Sequence, residues 1–174
     1  MVIRELQLHE SGLIRQIDRS ETIGSIYKMK DGVLEALPAG HECPPWDEEH
    51  TREMIERFET ELCSGGAAYG AFAGDTLVGF GVLGHRFRGE QLDRLQVDLM
   101  YVSRAYRRQG IGTKLMEELA NEARKRGASY LYISSTETES AVHFYMANGG
   151  RIADQVDEEL FELEPEDIHM LKKL

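Results

Sequence analysis

The segment VDLMYVSRAYRRQGIGTKLMEELANEARKRG, Val97 to Gly127, constrains the fold more than any other in the chain. Its apolar start predicts a strand over Leu95 to Val102. Ile111, Leu115, Met116, Leu119, Ala120 and Ala123 recur at helical spacing and predict a helix over Ile111 to Arg126, with Gly127 as its C′ stop. The turn between holds Arg104, Arg107, Arg108 and Gly110-Ile111-Gly112. A strand that runs straight into a helix leaves backbone N–H groups unpaired at the helix start, and the macrodipole adds partial positive charge there. Glycines at 110 and 112 let an anion reach that backbone without a Cβ in the way. Arg107 and Arg108 add charge, so the turn reads as a pyrophosphate site. The competing reading is a tight turn with solvated arginines. Walker A requires GxxxxGK[ST], and RRQGIGTK lacks its first glycine; the GxGxxG fingerprint fails because Leu115 stands at its third glycine.

The basic turn lies in an acidic chain. Lys plus Arg total 20 against 31 Asp plus Glu, a net charge of -11. That balance disfavours nucleic acid as a partner, since phosphate contacts need a basic surface. It suits a cationic small molecule or a basic peptide. With 174 residues and 41% apolar content the chain has enough for one packed domain, residues 1–174. The start, MVIRELQLHESG, has no apolar h-region. No stretch approaches the roughly 18 apolar residues of a membrane span. Two cysteines, Cys43 and Cys63, suggest free thiols in a reducing cytoplasm. His41, Cys43 and His50 match no zinc spacing, so no metal is expected.

Elsewhere the pattern gives a strand at Val2 to Leu6 and a short helix at His9 to Arg19. A hairpin is expected around Lys30-Asp31-Gly32, between Ile23–Met29 and Val33–Leu37. PAGHECPPW reads as an irregular loop anchored by Trp46. Asp47 caps a helix to Cys63, with His50 at N3, and turns Met54, Ile55, Phe58 and Leu62 inward. Ala67–Ala73 and Thr76–His85 form a second hairpin, whose Gly79, Gly81 and Gly84 mark a bulge or a close backbone approach. Arg88 to Arg94 reads as a polar loop. Tyr130–Ser134 is a strand and Ser140–Ala147 a helix ended by Gly149-Gly150. Ile152–Val156 and Ile168–Leu174 are final strands around a solvated acidic loop, DEELFELEPED. The order predicts an α/β or α+β fold with a mixed sheet.

Two blocks carry a family resemblance. Arg107-Arg108-Gln109-Gly110-Ile111-Gly112 matches [RQ]xxGx[GA], and Ala141-Val142-His143-Phe144-Tyr145-Met146-Ala147-Asn148-Gly149-Gly150 resembles AxxFYxxxGF with Gly150 in place of Phe. Both are motifs of the GNAT superfamily of N-acetyltransferases. The resemblance covers about Leu95 to Ile152; the first 65 residues match weakly. It implies a mixed, mostly antiparallel central sheet flanked by helices and splayed where acetyl-CoA enters. Backbone groups of Met100, Tyr101 and Val102 would pair with the pantetheine arm. Amides of Gln109, Gly110, Ile111, Gly112 and Thr113, beside Arg107 and Arg108, would hold the pyrophosphate. Ala141 would face the coenzyme together with Thr138, which replaces a usual Asn.

Acetyl transfer from a thioester to an amine needs a neutral amine, a stabilised oxyanion and a proton for the departing thiolate. The resemblance makes Tyr145 the donor to the coenzyme sulfur. Family members often carry Glu where Gln96 stands, and an amide takes no proton. Period-two alternation places Gln96, Asp98, Met100 and Val102 on one face, which makes Asp98 the candidate base, through a water. Glu21, Glu35 and Asp93 are further candidates. A backbone N–H near Tyr101 or Val102 would serve the oxyanion. The implied function is direct acetyl transfer from acetyl-CoA to a small, N-terminal or lysine amine. A non-catalytic acyl-CoA-binding regulatory domain, or an interaction module on the same fold, is the alternative. An edge strand makes either a monomer or a homodimer compatible with the sequence.

Overall fold

Seven strands form one sheet in the computed structural model, which describes residues 1–174. They are β1 (Val2–Glu5), β4 (Ala67–Ala73), β5 (Thr76–Arg88), β6 (Arg94–Val102), β7 (Tyr130–Ser135), β8 (Gly150–Ile152) and β9 (Ile168–Lys173). Their spatial order is β1-β4-β5-β6-β7-β9-β8. All neighbours run antiparallel except β6 and β7. Helix α1 (Glu48–Cys63) covers one face, with Phe58 packed among Leu6, Phe80, Val82 and Leu99. Helices α2 (Ile111–Lys125) and α3 (Glu139–Ala147) cover the other, where Met116, Leu119 and Val142 meet Leu95, Val97 and Ile133. This is the mixed α/β, mostly antiparallel architecture expected. No helix is long and apolar enough to cross a membrane.

Strand β5 lets α2 lie close because two of its residues lack side chains. A Cβ on Gly81 would meet Leu119 and Met100 at 3.0 Å, and one on Gly79 would meet the Tyr101 carbonyl at 3.2 Å. The close approach expected of these glycines is thus real.

Four stretches differ from expectation. The strand expected at Ile152–Val156 is instead β8 at Gly150–Ile152, so Ile152 alone of that stretch joins the sheet. PAGHEC is not a loop: it extends β3 (Val33–Cys43), which pairs with β2 (Glu21–Lys30) across the Asp31-Gly32 turn. Residues Leu8–Gln16 form a 3-10 segment rather than an α-helix. The acidic stretch between the last strands contains α4 (Glu158–Leu163), capped by the Asp157 carboxylate on the Leu160 amide at 3.1 Å and seated by buried Leu160. Its one inward residue gives too little periodicity to show in sequence.

Candidate active site

Strands β6 and β7 separate almost as soon as they meet. They pair only over Arg94–Gln96 and Tyr130–Tyr132. Beyond that point each diverges, and a cleft of about 520 Å³ opens between them. Met100, Tyr101 and Val102 form one wall. Thr136, Thr138, Ala141, Phe144 and Tyr145 form the facing wall, and Arg108 to Thr113, Gln109 excepted, close one end.

A bulge precedes the opening. Val82 pairs with Leu99 but Leu83 pairs with Val97, so Asp98 is the extra residue in β6. The bulge reverses the alternation. Leu95 and Val97 pack with α2, Leu99 and Tyr101 pack on the α1 side, and Met100 and Val102 return to α2. Asp98 therefore does not share a face with Met100 and Val102, as uninterrupted alternation predicts. Its carboxylate is gripped by α1: Arg57 donates from Nε to Oδ2 at 3.0 Å and from Nη2 to Oδ1 at 2.9 Å. Asp98 is outside the cleft lining.

The open edge of β6 is ready to pair. Ser103 donates its N–H to Val78 at 2.8 Å, so residues alternating with it face β5 and the amides of Met100 and Val102 face the gap. The end of the cleft is a nest of amides. Arg108 and Gly110 both have positive φ, 61° and 78°, a backbone geometry found where N–H groups converge on an anion. The first helical bond of α2 runs from Lys114 to the Gly110 carbonyl at 3.2 Å, and no protein oxygen accepts from the amides of residues 108–113. Gly112 is needed here for a second reason: a Cβ would stand 2.7 Å from the Phe144 ring.

The arginines divide their work. Arg107 lines the cleft, but its Nε donates to the Val102 carbonyl at 2.9 Å and its Nη2 to the Arg19 carbonyl at 3.0 Å. Glu21 lies 3.9 Å from its Nη1. Arg107 thus clasps the end of β6 to the segment before β2. Arg108 is exposed and has no ion-pair partner. Gln109 is not in the lining; its amide donates back to the Ala105 carbonyl at 3.3 Å.

Tyr145 lies across the cleft from β6, half-buried, with no hydrogen bond to its hydroxyl. Burial first, then the fields of Tyr101 and Asp167, push its phenol well above the ordinary tyrosine range. It therefore holds its proton at neutral pH. A Cβ on Gly150 would stand 2.8 Å from the Tyr145 carbonyl, so the departure from the motif's Phe lets β8 press against the helix that carries the tyrosine. Thr138 begins α3, its hydroxyl 3.4 Å from those of Thr136 and Ser140. Trp46 anchors its loop edge-on to Tyr101, 4.8 Å between ring centroids. Of the other carboxylates considered in sequence, Glu21 reaches the cleft, while Glu35 and Asp93 do not. Glu137 lines it unforeseen; Asp167 does not, and its carboxylate accepts from the Ser134 hydroxyl at 2.8 Å.

A sheet split beside an amide nest and a proton-holding tyrosine is the architecture of a coenzyme-dependent acyltransferase. Residues 31–149 match the family described as Acetyltransferase (GNAT) family, and the chain belongs to that family. No curated protein matches it in sequence. Among solved structures, nourseothricin acetyltransferase is 20% identical with a TM-score of 0.73, covering 99% of this chain and 97% of that one. A Bacillus anthracis structure described as a streptothricin acetyltransferase, in complex with acetyl coenzyme A, is 17% identical with a TM-score of 0.74, covering 99% and 98%. Aminoglycoside 6'-acetyltransferase type Ii is 20% identical with a TM-score of 0.66, covering 99% and 97%. At these identities the likeness is one of fold.

Proposed function

We propose that the protein transfers the acetyl group of acetyl-CoA directly to the nitrogen of an amine acceptor. The observation that carries this reading is the split between β6 and β7: unpaired amides of residues 108–113 at one end, an open strand edge along one wall and Tyr145 on the other. The amides and Arg108 receive the pyrophosphate. The amides of Met100 and Val102 pair with the pantetheine arm, with Thr138 and Ala141 opposite. The acceptor nitrogen attacks the thioester carbon, an N–C bond forms and the C–S bond breaks. Tyr145 gives its proton to the departing thiolate and regains one from the new N–C nitrogen. One gap-facing amide of β6 stabilises the oxyanion. Asp98 enters as the anchor of Arg57, holding α1 on the strand at the bulge.

The acceptor class follows from charge. The chain carries -11 overall, and Glu21 and Glu137 line the cleft alongside Arg19, Arg107 and Arg108; the overall balance suits a cationic amine. The antibiotic acetyltransferases of like fold are named for cationic acceptors of this kind. The test is thiol release from acetyl-CoA across a panel of polyamines, aminoglycosides, streptothricin-type antibiotics and basic peptides. Amine-dependent release supports the reading. Coenzyme binding with no release for any amine favours a non-catalytic acyl-CoA-binding domain instead.

A further inference from the structure

The transfer needs an amine without its third proton, and a cationic acceptor arrives as an ammonium. Gln96 stands at the last paired position of the split, opposite Tyr132, and is buried; its amide accepts no proton. Asp98 is held by both prongs of Arg57.

Another carboxylate, Asp167, lies outside the cleft lining but close enough for its charge to act on the Tyr145 phenol. Asp167 immediately precedes β9, whose first residue, Ile168, pairs with Ser135 at the end of β7. Ser134 lies on the same side of β7 as Tyr132, away from Leu131 and Ile133, which pack toward α2. Its hydroxyl donates to Asp167 Oδ2 at 2.8 Å. The carboxylate is thus positioned on the α1 side of the split, beyond the end of β7. Its Ser134 contact leaves acceptor capacity free, and it makes no ion pair.

We propose that Asp167 is the proton acceptor for the amine, replacing the carboxylate that β6 lacks at Gln96. The proposal rests on the acetyl-transfer reading and deepens it. The ammonium gives one proton to an Asp167 oxygen, which passes it to solvent. The neutral amine forms its bond to the acetyl carbon, and the thiolate leaves with the Tyr145 proton.

The surroundings suit that role. Burial raises the Asp167 carboxyl above the usual carboxylate range, while the Ser134 hydrogen bond draws it back. Glu164 and Glu137 raise it further, and the Arg57 guanidinium lowers it. Its charge is felt at the Tyr145 phenol. A carboxylate with raised proton affinity accepts a proton more readily while remaining available near neutrality.

The experiment measures kcat/KM against pH for an amine that the wild-type protein acetylates, in Asp167→Asn, Ser134→Ala and Glu137→Gln, with acetyl-CoA affinity and Tm for each. Asp167→Asn should lose roughly 10²-fold at pH 7. It should recover toward wild-type rates as the pH nears the acceptor's own pKa, about 10.4 for a lysine-like amine. Acetyl-CoA affinity should hold, and Tm at neutral pH should stay or rise, because a partly buried charge is removed while Asn can still accept from Ser134. Should Asp167→Asn fail to fold, Ser134→Ala carries the test. Losing the hydroxyl raises the Asp167 pKa, so the ascending limb should move to higher pH. A pH-independent drop, no drop, or an alkaline shift seen in Glu137→Gln instead overturns the proposal while the acetyltransferase reading stands. No turnover by the wild-type protein on any amine overturns both.

Discussion

The guanidinium of Arg107 donates to the carbonyl of Val102 at 2.9 Å, and to that of Arg19 at 3.0 Å. A residue whose motif position suggests a counterion for phosphate is built into the wall of the cleft.

Arg107→Ala should therefore lower stability, by about 1–3 kcal/mol for two charge-assisted bonds to backbone, and weaken acetyl-CoA binding through a displaced Val102. Urea unfolding and calorimetric titration check both. Weakened binding at unchanged stability would return Arg107 to the role of a simple anion ligand.

Tyr145→Phe keeps the ring and removes the proton. Turnover should fall by roughly 10²-fold with acetyl-CoA affinity within about a factor of two, since the proposed coenzyme contacts are to backbone amides and not to the phenol. Single-turnover thiol release together with calorimetry measures both quantities.

The strand–turn–helix that holds the first motif block, and the helix that holds the second, were legible because their signals are local: glycines at a turn and apolar residues at helical spacing. The asymmetric hairpins at 31–32 and 74–75 were legible for the same reason. The Asp98 bulge was not, since it arises from the pairing of β6 with β5, and the residue types of β6 do not announce the reversal of faces it causes. Nor was the Arg107 clasp, whose partner Arg19 is far away in sequence. The candidate base followed from the assumed parity, so it fell on Asp98. Asp167 carried no signal at all: it looks like one more acid in an acidic loop until β9 pairs beside Ser134.

Gly150→Ala tests how tightly the tyrosine is seated. A Cβ 2.8 Å from the Tyr145 carbonyl forces β8 away from α3. Overpacking of this kind costs about 1–3 kcal/mol. The Tm should drop, and turnover should fall more than coenzyme affinity as Tyr145 shifts.

Contacts among Tyr132, His169 and Asp157 predict a pH dependence of stability. The Asp157 N–H donates to the Tyr132 hydroxyl at 2.8 Å, and that hydroxyl is hydrogen-bonded to His169 Nδ1, 2.6 Å away. The other ring nitrogen, Nε2, is buried without a partner. Burial depresses the His169 pKa below 6.5, against the pull of Asp157. The unfolded chain then binds a proton that the folded one refuses, so stability is full above about pH 6.5 and declines as pH falls below it. His169→Asn, which keeps an acceptor for Tyr132, should flatten that decline. Thermal unfolding from pH 7.5 to 5 measures it; equal slopes in the two proteins would remove His169 from the effect.

Two-substrate initial-rate kinetics test the central claim most directly. Thiol release is followed while acetyl-CoA and a cationic amine are each varied, and the acetylated amine is identified by mass. Direct transfer in a ternary complex predicts intersecting double-reciprocal lines and one acetylated nitrogen per thiol released. Parallel lines, the mark of a covalent acetyl-enzyme, or thiol release without acetylated amine would contradict it.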